Sequence, residues 1–205
     1  MTETGSPPFR FTTLAEVETC LIAMGHLRCE MDGLSELAHG LQCADVLKAM
    51  APADPELQIA GLLHDVAAAH SQECDHGRVG ASAVRALLGE RVAELIRLHV
   101  DAKRYLVTID PVYRAKLSPV SRLTLERQGG LMSGWELALF DANPLRDDAI
   151  RLRQADDFAK TPGKATSSIA AFRPVLRQVS RSAARACGAQ STTSAALSKG
   201  GPETR

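Results

Sequence analysis

Aromatic residues are scarce in this chain: one Trp, two Tyr and five Phe make up 4% of its 205 residues. Strand-forming residues nowhere alternate with polar ones over a strand's length, so the sequence offers no support for a sheet. No apolar run reaches the roughly 18 residues that a membrane-spanning helix needs. The opening MTETGSPPFR lacks a basic end followed by an apolar stretch and does not read as a secretory signal. Neither sign of charge is in excess, since Lys plus Arg and Asp plus Glu number 24 each. That balance argues against a basic nucleic-acid-binding surface and against an acidic solvating tail. CxxC pairs are absent, and the cysteines at 20, 29, 43, 74 and 187 are odd in number. The expectation is a soluble, cytoplasmic protein with reduced thiols that binds neither nucleic acid nor membrane.

What remains is an ordinary apolar fraction of 45%, dominated by Ala and Leu, which favours helix. Thr13 and Glu16 have the spacing of a capping box and open a helix to about Met24. Ser35 caps a second helix to about Met50, and the two prolines of APADPE end it. The most apolar segment, Glu56 to Ala69, reads as a core helix. Helices follow over Gly80–Leu88 and Arg91–Val107, parted at Gly89. Short pieces start at Asp110-Pro111 and Ser118-Pro119, Gly129-Gly130 turns, and Gly134–Asp141 is helical. Asn143-Pro144 opens a helix to about Lys160 with Pro at its first position. A last helix covers Ser167–Ala186, bent at Pro174. The sum is an all-α bundle of about eight helices in one domain. Residues 1–12 are expected to be flexible, 13–186 to form the domain, and 187–205 to be a disordered tail.

Four of the six histidines stand where a metal site would need them. His64-Asp65 falls inside the most apolar helix, and burying a carboxylate is costly by several kcal/mol unless it is paired or coordinated. His39 lies near the apolar face of the preceding helix, and His76 just before the helix at Gly80. His99 lies among Leu95, Leu98, Ala102 and Leu106, spaced by threes and fours. Asp156 follows the inward Ile150 and Leu152. A helical bundle can bring such residues together in its core, and imidazole with carboxylate suits iron, manganese or zinc. Singly, each has a plainer reading: a satisfied core histidine, or a solvated helix aspartate. Lys103, four residues after His99, and Arg153, three before Asp156, put a cation beside each ligand helix. Such a pair would cradle a dianion, or Arg153 would simply pair with Asp157.

The order His39, His64-Asp65, His76, His99, Asp156 resembles the HD-domain superfamily, and the two extra histidines resemble its dinuclear branch. The strings LSELAHGLQCA, GLLHDV, HGRVGA, LHVDAKRYL, LSPVSRLTLERQGGLM and LRQADDFAK resemble the phosphonate-degrading HD oxygenases, over about Leu14 to Lys160. This resemblance implies a non-haem di-iron dioxygenase with a mixed-valent Fe(II)/Fe(III) pair. Such an enzyme uses O2 to cleave the C–P bond of a 1-hydroxylated organophosphonate into a carboxylate and inorganic phosphate. It further implies that Asp65 bridges the irons, with His39, His64 and Asp156 on one and His76 and His99 on the other. Lys103, Ser121 and Arg153 would contact the phosphonate, with Gln128 a further candidate, and a 2-oxoglutarate-dependent hydroxylase would be the functional partner. Two departures concern the substrate's far end. Cys29 and Asp32 stand where relatives have the Tyr and Glu of a lid, Asp32 then facing the substrate's amino end. Ala68 replaces an expected histidine, with His70 two residues on. The alternatives are a metal-dependent HD phosphohydrolase acting on a nucleotide or phosphoester, and a non-catalytic HD protein.

Overall fold

The computed structural model describes the backbone of residues 9–29, 32–68 and 75–197, and the side chains through 188. Among these residues there are ten helices and no strand: α1 (Leu14–Met24), α2 (Glu36–Met50), α3 (Pro55–Leu63), α4 (His76–Leu88), α5 (Glu90–Ile109), α6 (Pro111–Lys116), α7 (Pro119–Arg127), α8 (Gly134–Asp141), α9 (Arg146–Phe158) and α10 (Ile169–Leu197). The all-α, single-domain expectation holds. None of the helices is long and apolar enough to cross a membrane.

Local chemistry sets most of the boundaries. The Thr13 hydroxyl accepts from the Glu16 amide at 3.2 Å while the Glu16 carboxylate accepts from the Thr13 amide at 3.1 Å, closing the capping box of α1. Ser35, Asp54, Asp110 and Ser118 each accept from an amide in the first turn of α2, α3, α6 and α7. Proline at the start of α3, α6 and α7 removes a donor that those helices would leave unused.

Helix α5 is central and packs against α3, α4, α6, α8 and α9. The main core gathers Val17 and Leu21 of α1, Leu47 of α2, Leu57, Ile59 and Leu62 of α3, Val84 and Leu88 of α4, and Leu95 and Ile96 of α5. Phe172, Leu176 and Val179 close it from α10. Two glycines bring α2 onto α3. A Cβ on Gly40 would stand 2.6 Å from the Leu62 carbonyl oxygen, and one on Gly61 would stand 2.4 Å from Leu47 Cδ1. That close approach sets His39, beside Gly40, against His64, just past Leu63.

The structure corrects several boundaries. The apolar stretch expected to be helical from Glu56 to Ala69 stops being α-helix at Leu63. The His64 imidazole takes the Gly61 carbonyl at 2.8 Å, and the chain continues in tight turns, Val66 N–H to Leu63 O and Ala68 N–H to Asp65 O. Helix α4 begins at His76, four residues before the expected Gly80. Gly77 is tolerated there because it packs closely on α5: its Cβ would lie 3.2 Å from Val100 Cγ2. Helix α9 starts at Arg146, because the Asn143 side chain accepts from the Leu145 amide at 2.8 Å and holds Asn143-Pro144 in a turn. At the ends, Phe11 is buried and donates its amide to the Ala83 carbonyl at 2.9 Å, and α10 runs through Leu197. The rest of the expected flexible ends, residues 1–8 and 198–205, lies outside the described residues. So do His70, Cys74, and Glu30 and Met31 of the lid string.

Candidate metal centre and its cavity

Five pieces of chain converge on one point. His39 comes from the first half of α2, His64 and Asp65 from just past the end of α3, His76 from the first residue of α4, His99 from the middle of α5, and Asp156 from α9. His39, His64, His99 and Asp156 are buried, and the Asp65 side chain is 24% exposed at the edge of a cavity. Its carboxylate therefore sits where the helix has ended and a cavity begins, rather than among leucines within a helix.

The two oxygens of Asp65 face different histidine pairs. Oδ2 lies 3.2 Å from His64 Nε2 and 3.7 Å from His39 Nε2. Oδ1 lies 3.3 Å from His76 Nε2 and 3.8 Å from His99 Nε2. Asp156 Oδ1 joins the first pair, 3.1 Å from His39 Nε2 and 3.8 Å from His64 Nε2. The donor atoms of His39, His64 and Asp65 lie within 4.8 Å of one another, and so do those of Asp65, His76 and His99.

The histidine tautomers test whether a cation fits. His39 Nδ1 donates to the Ala159 carbonyl at 3.0 Å, His64 Nδ1 to that of Gly61, and His99 Nδ1 to that of Ile96 at 2.5 Å. With a proton held on Nδ1, each Nε2 presents a lone pair whenever its ring is neutral. Yet His39 Nε2 and His64 Nε2 face each other at 3.1 Å, and His76 Nε2 and His99 Nε2 at 2.9 Å. In the first pair two neutral rings would aim lone pairs at each other, which either a proton on one ring or a cation beside both relieves; a cation at each pair would also meet the Asp65 oxygen facing it. The residues fit two metal ions sharing one carboxylate.

The charge balance agrees. Burial pushes the His99 imidazole down to about 3, helped by His76 and His64, and so keeps it neutral. Burial would lower His64 as well, but Asp65 outweighs it and raises His64 well above its ordinary value. A proton thus goes where a metal would go, and metal binding would release it. Burial alone would raise Asp156, but Arg153 and then Lys160 hold it well below the usual carboxylate range.

A cavity of about 370 Å³ opens on this cluster. The expected cations both line it and both are buried. Lys103 Nζ donates to Thr124 Oγ1 at 2.9 Å, beside the buried Ser121. Arg153 pairs with Asp156 through Nη1 at 2.7 Å, and also with Asp157 through Nε and Nη2. The plain reading of Arg153 as a partner of Asp157 is therefore realised, but in the interior and next to the cluster. Its Nε also donates to Tyr113 Oη at 2.9 Å, and that hydroxyl donates to Asp157 Oδ2 at 2.6 Å. A guanidinium has five N–H groups, so one on each Nη remains to meet a bound oxyanion.

Gln128, Cys29 and Ala68 line the cavity. Asp32 is exposed on the turn before α2 and is not among the residues that line the cavity, so the structure does not bring this expected contact to the cluster. Gly33, next to it, takes the left-handed backbone conformation, with φ of 79°. Sequence reasoning missed Glu36, Thr124, Tyr113 and Lys160. Thr124 and Glu36 each lie three residues from a noted position, Ser121 and His39, and helical spacing could have found them. Tyr113 reaches Arg153 only through the fold.

Residues 37–160 match the HD domain family. The chain belongs to the HD domain family. Over 143 residues it is 38% identical to a hydroxymethylphosphonate dioxygenase of Gimesia maris, which covers 64% of this chain and 71% of that protein. Over 134 residues it is 29% identical to a 1-hydroxy-2-(trimethylamino)ethyl phosphonate dioxygenase of Leisingera caerulea, described as glycine-betaine-forming, covering 60% of this chain and 68% of that protein. His39, His64, Asp65, His76, His99 and Asp156 all lie within the matched residues.

Proposed function

We propose that this HD protein is a di-iron oxygenase that cleaves the C–P bond of a 1-hydroxylated organophosphonate. The balanced reaction takes R–CH(OH)–PO3²⁻ and O2 to R–COOH and HPO4²⁻. The observation that carries the reading is Asp65 presenting one oxygen to each histidine pair, beside a cavity lined by the buried Lys103 and Arg153.

His39, His64, Asp156 and Asp65 Oδ2 would hold one iron, and His76, His99 and Asp65 Oδ1 the other. The iron pair, Fe(II)/Fe(III) in this reading, supplies the redox equivalents and the open coordination position for dioxygen and the substrate's hydroxyl. The protein does the rest. Lys103, steadied by the Thr124 hydroxyl, gives the phosphonate a point charge, Ser121 offers a hydroxyl, and the two remaining Arg153 N–H groups bind oxygens side by side. Gln128 contributes a polar group to the same wall. Holding the phosphonate this way orients C1 toward the metals, which is worth more than contact strength alone. A 2-oxoglutarate-dependent hydroxylase that installs the 1-hydroxyl is the functional partner in this proposal. A cytoplasmic setting accords with the thiols of Cys20 and Cys43.

The test loads apoprotein with iron under nitrogen, then adds air and either hydroxymethylphosphonate or 1-hydroxy-2-(trimethylamino)ethylphosphonate. Phosphate release that requires both iron and oxygen is the expected result, with a mixed-valent signal in the electron paramagnetic resonance spectrum. No phosphate from either compound, or oxygen-independent hydrolysis of a simple phosphoester by manganese-loaded protein, would overturn the proposal and favour the phosphohydrolase reading.

A further inference from the structure

Glu36 stands at the first position of α2, one turn before His39, and lines the cavity over the metal cluster. Its Oε2 is sheltered from solvent and has no hydrogen-bond partner among the described residues. Acidic residues in a first helical turn are common and are stabilised there by the helix dipole. Such a residue normally reaches into water, however, and this one is turned inward. A sheltered carboxylate oxygen without a donor is destabilising unless something completes it.

The metal cluster does not complete it, because Glu36 belongs to neither group of clustered donor atoms. Burial, and then Asp65 and Asp156, push its carboxyl up to about 7 against the pull of His39 and His64, so a cation beside it would favour its charged form. The cations that line the cavity from within face other groups: Lys103 meets Thr124, Arg153 meets Asp156, Asp157 and Tyr113, and Lys160 lies 3.7 Å from Asp156 Oδ1. Arg28 lines the cavity but is exposed. Room exists for a ligand group as well. Its volume of about 370 Å³ is in the range of small-molecule sites.

We propose that Glu36 sets specificity by receiving a cationic, amine-type substituent on the substrate's carbon, so that the preferred substrates are zwitterionic hydroxyphosphonates. The inference rests on the phosphonate reading above. The phosphonate end is held by Lys103, Ser121 and Arg153, from α5, α7 and α9. The substituent end meets Glu36, from α2. One cavity thus reads both ends of a zwitterion, and a second anion on the substituent would be repelled.

The test measures binding by calorimetry under nitrogen to the iron-loaded full chain. The probes are methylphosphonate, 2-aminoethylphosphonate, and propylphosphonate, the last matching the amine atom for atom without its charge. Wild type should bind the amine about 10-fold or more tightly than propylphosphonate, as expected for one charge-assisted contact. Glu36→Gln should bring the two to within about 3-fold while methylphosphonate binds as before. Equal binding of amine and propyl compounds by wild type, or a preference that survives in Glu36→Gln, overturns the role of Glu36 and leaves the phosphonate reading standing. Should Glu36→Gln lose methylphosphonate as well, the wild-type ratio decides alone. Failure of wild type to bind any of the three overturns both readings.

Discussion

Replacing Arg153 by Met isolates the group that joins the cavity to the metal cluster. Arg153 is 5% exposed, and its guanidinium serves three partners: Asp156 at 2.7 Å, Asp157, and Tyr113 Oη at 2.9 Å. Methionine keeps the length and fills the space but leaves Asp156, only 4% exposed, without its main counter-charge. Removing one partner of a buried pair typically costs about 3–5 kcal/mol. Two features place this case at the lower end. Lys160 Nζ remains 3.7 Å from Asp156 Oδ1, and the Asp157 side chain is 31% exposed and can turn to water. A loss of about 3 kcal/mol follows. For a domain of this size, at about 2–4 °C per kcal/mol, it lowers the melting temperature by roughly 6–12 °C. The assay is thermal unfolding followed by circular dichroism, with chelator present so that metal binding does not mask the loss. A melting temperature within about 2 °C of wild type would refute the reasoning, because it would mean that Asp156 needs no buried counter-charge.

Lys103→Met removes the point charge on the phosphonate wall and should raise KM for a hydroxyphosphonate by about 10- to 100-fold, read from initial rates of phosphate release; an unchanged KM would remove Lys103 from the binding site. In chelator, the stability that Asp156 contributes is complete above its ordinary value of 3.8 and disappears only as pH falls through its depressed folded value. Urea titrations across acid pH should therefore show a steeper loss for wild type than for Asp156→Asn, and parallel curves would contradict the Arg153 and Lys160 assignment. Gly40→Ala drives a Cβ to 2.6 Å from the Leu62 carbonyl oxygen and should cost about 1–3 kcal/mol in denaturant unfolding. It should also weaken metal uptake, since it parts His39 from His64; full stability with full metal content would show that α2 and α3 need not touch so closely.

Much of this molecule was legible in one dimension, because the relevant signals are local. A side-chain oxygen two or three residues ahead of an amide announces a helix start whatever surrounds it, and Thr13, Ser35, Asp110 and Ser118 all did so. Ala- and Leu-rich composition without alternating strands dictated the all-α class, and the spacing of histidine and aspartate named the residues that the fold brings together. Tertiary structure decided what depends on distance between helices. It ended α3 at Leu63, where the chain tightens into turns, Val66 N–H to Leu63 O and Ala68 N–H to Asp65 O. It turned the Asp65 oxygens to opposite histidine pairs, sent Asp32 into solvent and Glu36 into the cavity, and brought Tyr113 from α6 onto Arg153 of α9. A sequence records which groups are available every three or four residues along one helix. Which groups share a cavity is set by how closely separate helices pack, and here that rests on Gly40 and Gly61, whose missing side chains let α2 and α3 meet.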